Sequence, residues 1–89
     1  IARRTKNKRL EAAVLANLGQ IFSKLGDESK AAEHLAQALA LSRGLGDRIG
    51  EAATLQKTGK IHLAAGKTVP AIGFFNQAQE IYREVGSAR

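Results

Sequence analysis

Residues 11–22 read EAAVLANLGQIF, and residues 51–62 read EAATLQKTGKIH. The two stretches share Glu11 with Glu51, Ala12-Ala13 with Ala52-Ala53, Leu15 with Leu55, Gly19 with Gly59 and Ile21 with Ile61, always 40 residues apart. Outward from there, the same offset relates Gly26 to Gly66, Ala31 to Ala71, Gln37-Ala38 to Gln77-Ala78, Arg43 to Arg83 and Gly46 to Gly86. Twelve identities in 38 ungapped positions exceed what an alanine-rich composition produces, so the chain is an internal repeat. A period between about 20 and 50 residues marks a solenoid, in which each unit buries its apolar face by stacking on a neighbour.

Each unit divides into two helical stretches. Leu10, Val14, Leu15, Leu18, Ile21, Phe22 and Leu25 recur at three- and four-residue spacing, which predicts an apolar stripe on a first helix. Gly26-Asp27 ends that helix and starts the next, with Asp27 as the N-cap. Ala31, Ala32, Leu35, Ala38, Leu39, Leu41 and Leu45 form a second stripe, closed by Gly44 and Gly46, and Asp47 caps a third helix. That third helix is expected from about residue 48 to 65 and a fourth from about 69 to 85, with Thr68 as its cap and Pro70 in its first turn. No segment shows the alternation of a strand. The expected fold is all-α, two helix-turn-helix hairpins.

Leu15, Leu18-Gly19, Phe22, Gly26, Ala31, Leu35 and Ala38 stand at the spacing of the tetratricopeptide signature, and Leu55, Thr58-Gly59, His62, Gly66, Ala71, Phe75 and Ala78 repeat it. The chain therefore resembles the tetratricopeptide repeat family over nearly its whole length. It departs from the pattern at Thr58 for a leucine, at His62 for an aromatic, and in lacking a proline after the second helix of either unit. The 40-residue period and the Leu45-Gly46-Asp47-Arg48 connection are similar to the repeats of G-protein-signalling modulators. The resemblance implies hairpins stacked as a short right-handed solenoid, with residues 1–10 as a basic segment ending a preceding helix, 11–50 as the first repeat and 51–89 as the second. In this frame Ile1-Ala2-Arg3 aligns with Leu41-Ser42-Arg43 and Ser87-Ala88-Arg89 with Asp47-Arg48-Ile49, the pattern expected of a fragment of a longer array.

Composition narrows the function. The chain of 89 residues makes one small domain, with roughly two thirds of its surface buried on folding. Without cysteine there is no disulfide framework or thiolate metal site, which suits the cytoplasm or nucleus. The formal charge of +6 resembles a nucleic-acid signal, but Arg3, Arg4, Lys6, Lys8 and Arg9 supply +5 of it and the repeat body carries only +1. Gly66-Lys67-Thr68 lacks both the earlier glycine and the strand of a phosphate-binding loop, and reads as a turn. His34 and His62 have no companions at metal-ligand spacing, and no nucleophile has a base in reach, so neither an enzyme nor a cofactor or metal is expected. His62 is expected to be a half-buried packing ring.

The family geometry sets the first helix of each unit along a concave groove. The positions it places there are Ala13, Ala16, Asn17, Gln20 and Lys24, then Ala53, Gln56, Lys57, Lys60 and Ala64. Independently, Ala53, Lys57, Lys60 and Ala64 share one helical stripe opposite Leu55, Gly59 and His62. Amides can hold a peptide backbone and lysines its carboxylates, so Asn17, Gln20, Lys24, Gln56, Lys57 and Lys60 are the candidate site for an acidic peptide. The expected function is a protein-interaction scaffold of the signalling-adaptor kind. Two alternatives stay open: a spacer or self-associating element of a solenoid, and nucleic-acid binding through the basic N-terminus.

Overall fold

The computed structural model describes residues 2–87, with side chains from Asn7 onward. It contains four helices, α1 (Ala2–Lys24), α2 (Glu28–Leu45), α3 (Arg48–Ala64) and α4 (Thr68–Ser87). Pairs α1–α2 and α3–α4 form the two hairpins, and contacts of α3 with both α2 and α1 join them. Helix α1 runs without a break from Ala2, so residues 2–10 continue into the first hairpin instead of ending a helix of their own. The side chains of Arg3, Arg4 and Lys6, together with Ile1, Ala88 and Arg89, lie outside the described residues.

The three turns share one geometry at 20-residue intervals. Gly26, Gly46 and Gly66 have φ of 87°, 68° and 80°, a region that glycine enters without a Cβ clash. The next residue donates its N–H to a carbonyl five residues back, Asp27 to Phe22 at 2.8 Å, Asp47 to Ser42 at 2.9 Å and Lys67 to His62 at 2.8 Å. Its own carbonyl then accepts the first bond of the following helix, from Ala31, Glu51 and Ala71 respectively. Asp27 and Asp47 also accept from the backbone N–H of Lys30 and Gly50, the capping expected of them. Thr68 does not occupy the cap position: helix α4 already includes it, and Lys67 holds the place of the two aspartates. The turn fixes the cap directly after the glycine, so the repeat offset, not side-chain type, decides which residue stands there.

Two small cores run through the stack. Ala16, Leu35 and Ala38 pack with Leu15 and with Ile61 from the second hairpin; Ala52, Leu55, Ala78 and Ile81 pack with Phe74, Val85 and with Leu39 from the first. Gly19 and Gly59 mark the closest approach within each hairpin. A Cβ at Gly19 would lie 2.7 Å from Leu35 Cγ, and one at Gly59 would lie 2.9 Å from Phe75 Cε1.

The apolar stripe of α1 is only partly buried. Leu10, Val14, Ile21 and Leu25 remain 51–74 % exposed, because α2 and α3 cover one side of α1 and no described element covers the other. Buried polar groups make up part of the inter-hairpin seam instead. Thr54 donates to the Gly50 carbonyl, and Glu51, 7 % exposed, accepts from Arg43 Nε at 3.0 Å and Arg48 Nη1 at 2.9 Å. Arg48 also pairs with Glu84, so that one cluster ties the α2 end, α3 and α4. The Glu84 hydrogen bond, and then the charges of Glu84 and Glu51, raise the Arg48 pKa above its ordinary value.

Candidate peptide-binding surface

On α1, Ala12, Ala16 and Gly19 follow one another at four- and three-residue steps and face α2, all buried. Ala16 is thus a packing residue, 2 % exposed beside Leu35 and Ala38, and does not face the groove as the family alignment suggested. Its methyl lets α1 and α2 approach where a longer side chain would hold them apart. The neighbouring stripe of Ala13, Asn17, Gln20 and Lys24 stays at the surface, with Gln20 half-buried and the others exposed.

Helix α3 lies against α1 and offers the matching stripe. Gln56 and Lys60 are exposed, Lys57 is half-buried, and Ala53 and Ala64 flank them as small residues. Asn17 and Lys57, one full repeat apart, meet directly: Lys57 Nζ donates to Asn17 Oδ1 at 2.9 Å. This bond sets the lysine head across the seam between the two first helices. Of the six candidate residues it joins these two, while Gln20, Lys24, Gln56 and Lys60 make no side-chain hydrogen bond or ion pair among the described residues.

The other singled-out residues take structural places. His62 is half-buried, packs against Phe74 with the rings tilted by 42° and centroids 4.9 Å apart, and donates from Nδ1 to the Thr58 carbonyl at 2.9 Å. His34 does the same with Phe22 and the Lys30 carbonyl, so the repeats carry one aromatic pair with its members exchanged. Gly66-Lys67-Thr68 is the turn into α4. The Glu51 cluster escaped sequence reading, although a signal for it existed: Arg43, Arg48 and Glu51 lie within nine residues of chain, on either side of the turn at Gly46.

The family described as the tetratricopeptide repeat matches residues 30–84, well over half of the chain. The chain belongs to the tetratricopeptide repeat family. As a tetratricopeptide repeat it is a protein-interaction module built of helical hairpins. It is 36% identical over 62 residues to the regulatory protein AfsR of Streptomyces griseus, a match covering 70% of this chain and 6% of that protein. The chain thus spans a small part of that relative's length. No solved structure matches it.

Proposed function

We propose that these repeats form a non-enzymatic, cytoplasmic docking unit within a larger regulatory assembly, holding an acidic peptide segment of a partner along α1 and α3. The observation that carries this reading is the Asn17–Lys57 bond at 2.9 Å, which pre-positions a cation and an amide on one seam. A peptide carboxylate drawn to Lys57 and Lys60 releases the Asn17 amide to bond the peptide backbone, while Ala53 and Ala64 leave room for the chain. Each such partly exposed contact contributes about 0.5 to 1.5 kcal/mol after solvent competition.

The test begins with peptides selected from a random display library, which should be enriched in aspartate and glutamate. The double reversal Lys57→Glu with Lys60→Glu should weaken the selected peptides by about tenfold to a hundredfold. Reversing Lys30 and Lys67 at the turns is the charge-matched control and should leave affinity within about threefold. Loss of binding in the control alone would move the ligand to the turn edge.

A second reading draws on the exposed α1 stripe. Val14 and Ile21 are the repeat equivalents of Thr54 and Ile61 on α3, the helix against which α2 packs. A further helical hairpin stacked there, from a second copy or from adjoining chain, is the spacer or self-association role. Sedimentation across micromolar to millimolar concentration decides it, since a constant monomer mass excludes association between copies.

A further inference from the structure

On the side of α3 away from the peptide face, the hairpins leave a cavity of about 310 Å³ between α2 and α3–α4. Its α2 wall is a stripe running from Glu28 through Ala32 and Ala36 to Leu39, roughly 16 Å long at the helical rise. Thr58 and Ala65 line the α3 side, and the tilted ring pair of His62 and Phe74 closes off another part.

The cause of the space is a set of differences between the repeats. Where this cavity has Thr58, His62 and Ala65, the first repeat has Leu18, Phe22 and Leu25; where it has Ala32, the second repeat has Ile72. Each of these four lining residues is smaller or more polar than its equivalent. Two polar groups among them are already engaged, the Thr58 hydroxyl donating to the Thr54 carbonyl and His62 Nδ1 to the Thr58 carbonyl. The walls therefore present apolar surface.

The rim carries charge. Lys67 stands where the other two turns have Asp27 and Asp47, so this position alone of the three is cationic. Glu28, also on the rim, sits in the first turn of α2, where it offsets the positive end of its own helix. A half-enclosed apolar cavity with a few polar groups at one edge is the ordinary form of a small-molecule site.

We propose that this cavity binds a slender apolar molecule ending in a carboxylate, of the class of medium-chain alkanoates, with its chain between α2 and α3 against Phe74 and its acid at Lys67. The site is separate from the peptide face and stands whether or not a peptide binds there.

The test uses the whole chain and decanoate, kept below its micelle concentration, with decanol as the uncharged probe. Amide chemical shifts should saturate at one site with Kd on the order of 100 µM, moving Ala36, His62 and Ala65 and leaving Asn17 and Lys60 unmoved. Thr58→Leu, which installs the residue of the first repeat, should weaken both probes by about tenfold, as should Ala32→Ile, with the melting curve kept. Lys67→Asp should weaken decanoate by about tenfold and decanol by less than about twofold. Absence of saturation by about 5 mM overturns the proposal and leaves the cavity to an apolar side chain of a partner protein. Binding undiminished in both Thr58→Leu and Ala32→Ile overturns it as well, and decanoate and decanol losing equally on Lys67→Asp refutes the carboxylate assignment.

Discussion

Adding one methyl group at Gly19 and at Gly59 should have different results, although the two glycines hold the same place in the repeat. Alanine in place of a mid-helix glycine stabilises by about 1 kcal/mol through lower backbone entropy in the unfolded chain and better helix propensity. Against this stands the contact each Cβ would make. At Gly59 all three nearest atoms belong to the Phe75 ring, at 2.9 to 3.1 Å, and that ring is half-buried and free to tilt by a few tenths of an ångström. At Gly19 the Cβ would meet Leu35 Cγ at 2.7 Å and the Ala31 carbonyl oxygen at 3.1 Å. Leu35 is 4 % exposed and the oxygen is helix backbone, so neither yields without moving α2. Overpacking of this kind costs about 1 to 3 kcal/mol. Gly59→Ala should therefore fall within about 0.5 kcal/mol of the parent, and Gly19→Ala about 1 to 2 kcal/mol below it. Urea titration followed by far-ultraviolet circular dichroism measures both, and a loss of 1 kcal/mol corresponds to a fall in Tm of about 4 to 8 °C in a domain of this size. Leucine at either position should cost about 1 to 3 kcal/mol or more. If Gly19→Ala proved as stable as Gly59→Ala, or more so, the close α1–α2 approach at Leu35 would be refuted.

Further outcomes can be checked on the same chain. Glu51→Ala removes a buried carboxylate that two guanidinium groups approach from α2 and α3; since both arginines stay half in solvent, the loss should be about 1 to 3 kcal/mol, read by the same titration, while Glu84→Ala at the exposed end of the cluster should change stability by under about 1 kcal/mol. Asp27→Ala removes the acceptor for the Lys30 N–H and should cost α2 about 1 kcal/mol, whereas Lys67→Asp should gain only about 0.3 to 1 kcal/mol from its charge at the start of α4, because the residue three further on is Pro70 and has no N–H to donate; a gain from Lys67→Asp larger than the loss from Asp27→Ala would contradict this account of the turns. Removing residues 1–6 takes away Arg3, Arg4 and Lys6 and should abolish weak, salt-sensitive association with polyanions while leaving peptide binding at Lys57 and Lys60 in place, measured by fluorescence anisotropy at two salt concentrations.

The sequence by itself determined the elements and their phase. Spacing of apolar residues gave four helices, and glycine followed by a capping residue gave the turns, because both depend on contacts within a few residues of chain. Gly19 and Gly59, small in both units, stand where each first helix comes closest to the second helix of its hairpin. Tertiary structure alone decided which members of a stripe are covered. Ala16 is buried because it packs on Leu35 and Ala38 of α2, while its repeat equivalent Gln56 stays exposed. Glu51 reads as a surface acid until α2 and α3 close around it and Arg43 and Arg48 reach its carboxylate from two sides. Lys57 and Asn17 read only as members of one stripe until the α1–α3 contact sets the lysine Nζ 2.9 Å from Asn17 Oδ1. The cavity was present in the sequence only as substitutions between repeats, Thr58 for Leu18 and Ala65 for Leu25. Lost side-chain volume becomes a cavity only where the backbones on both sides are held apart, and that separation is a property of how the two hairpins pack, which no local pattern encodes.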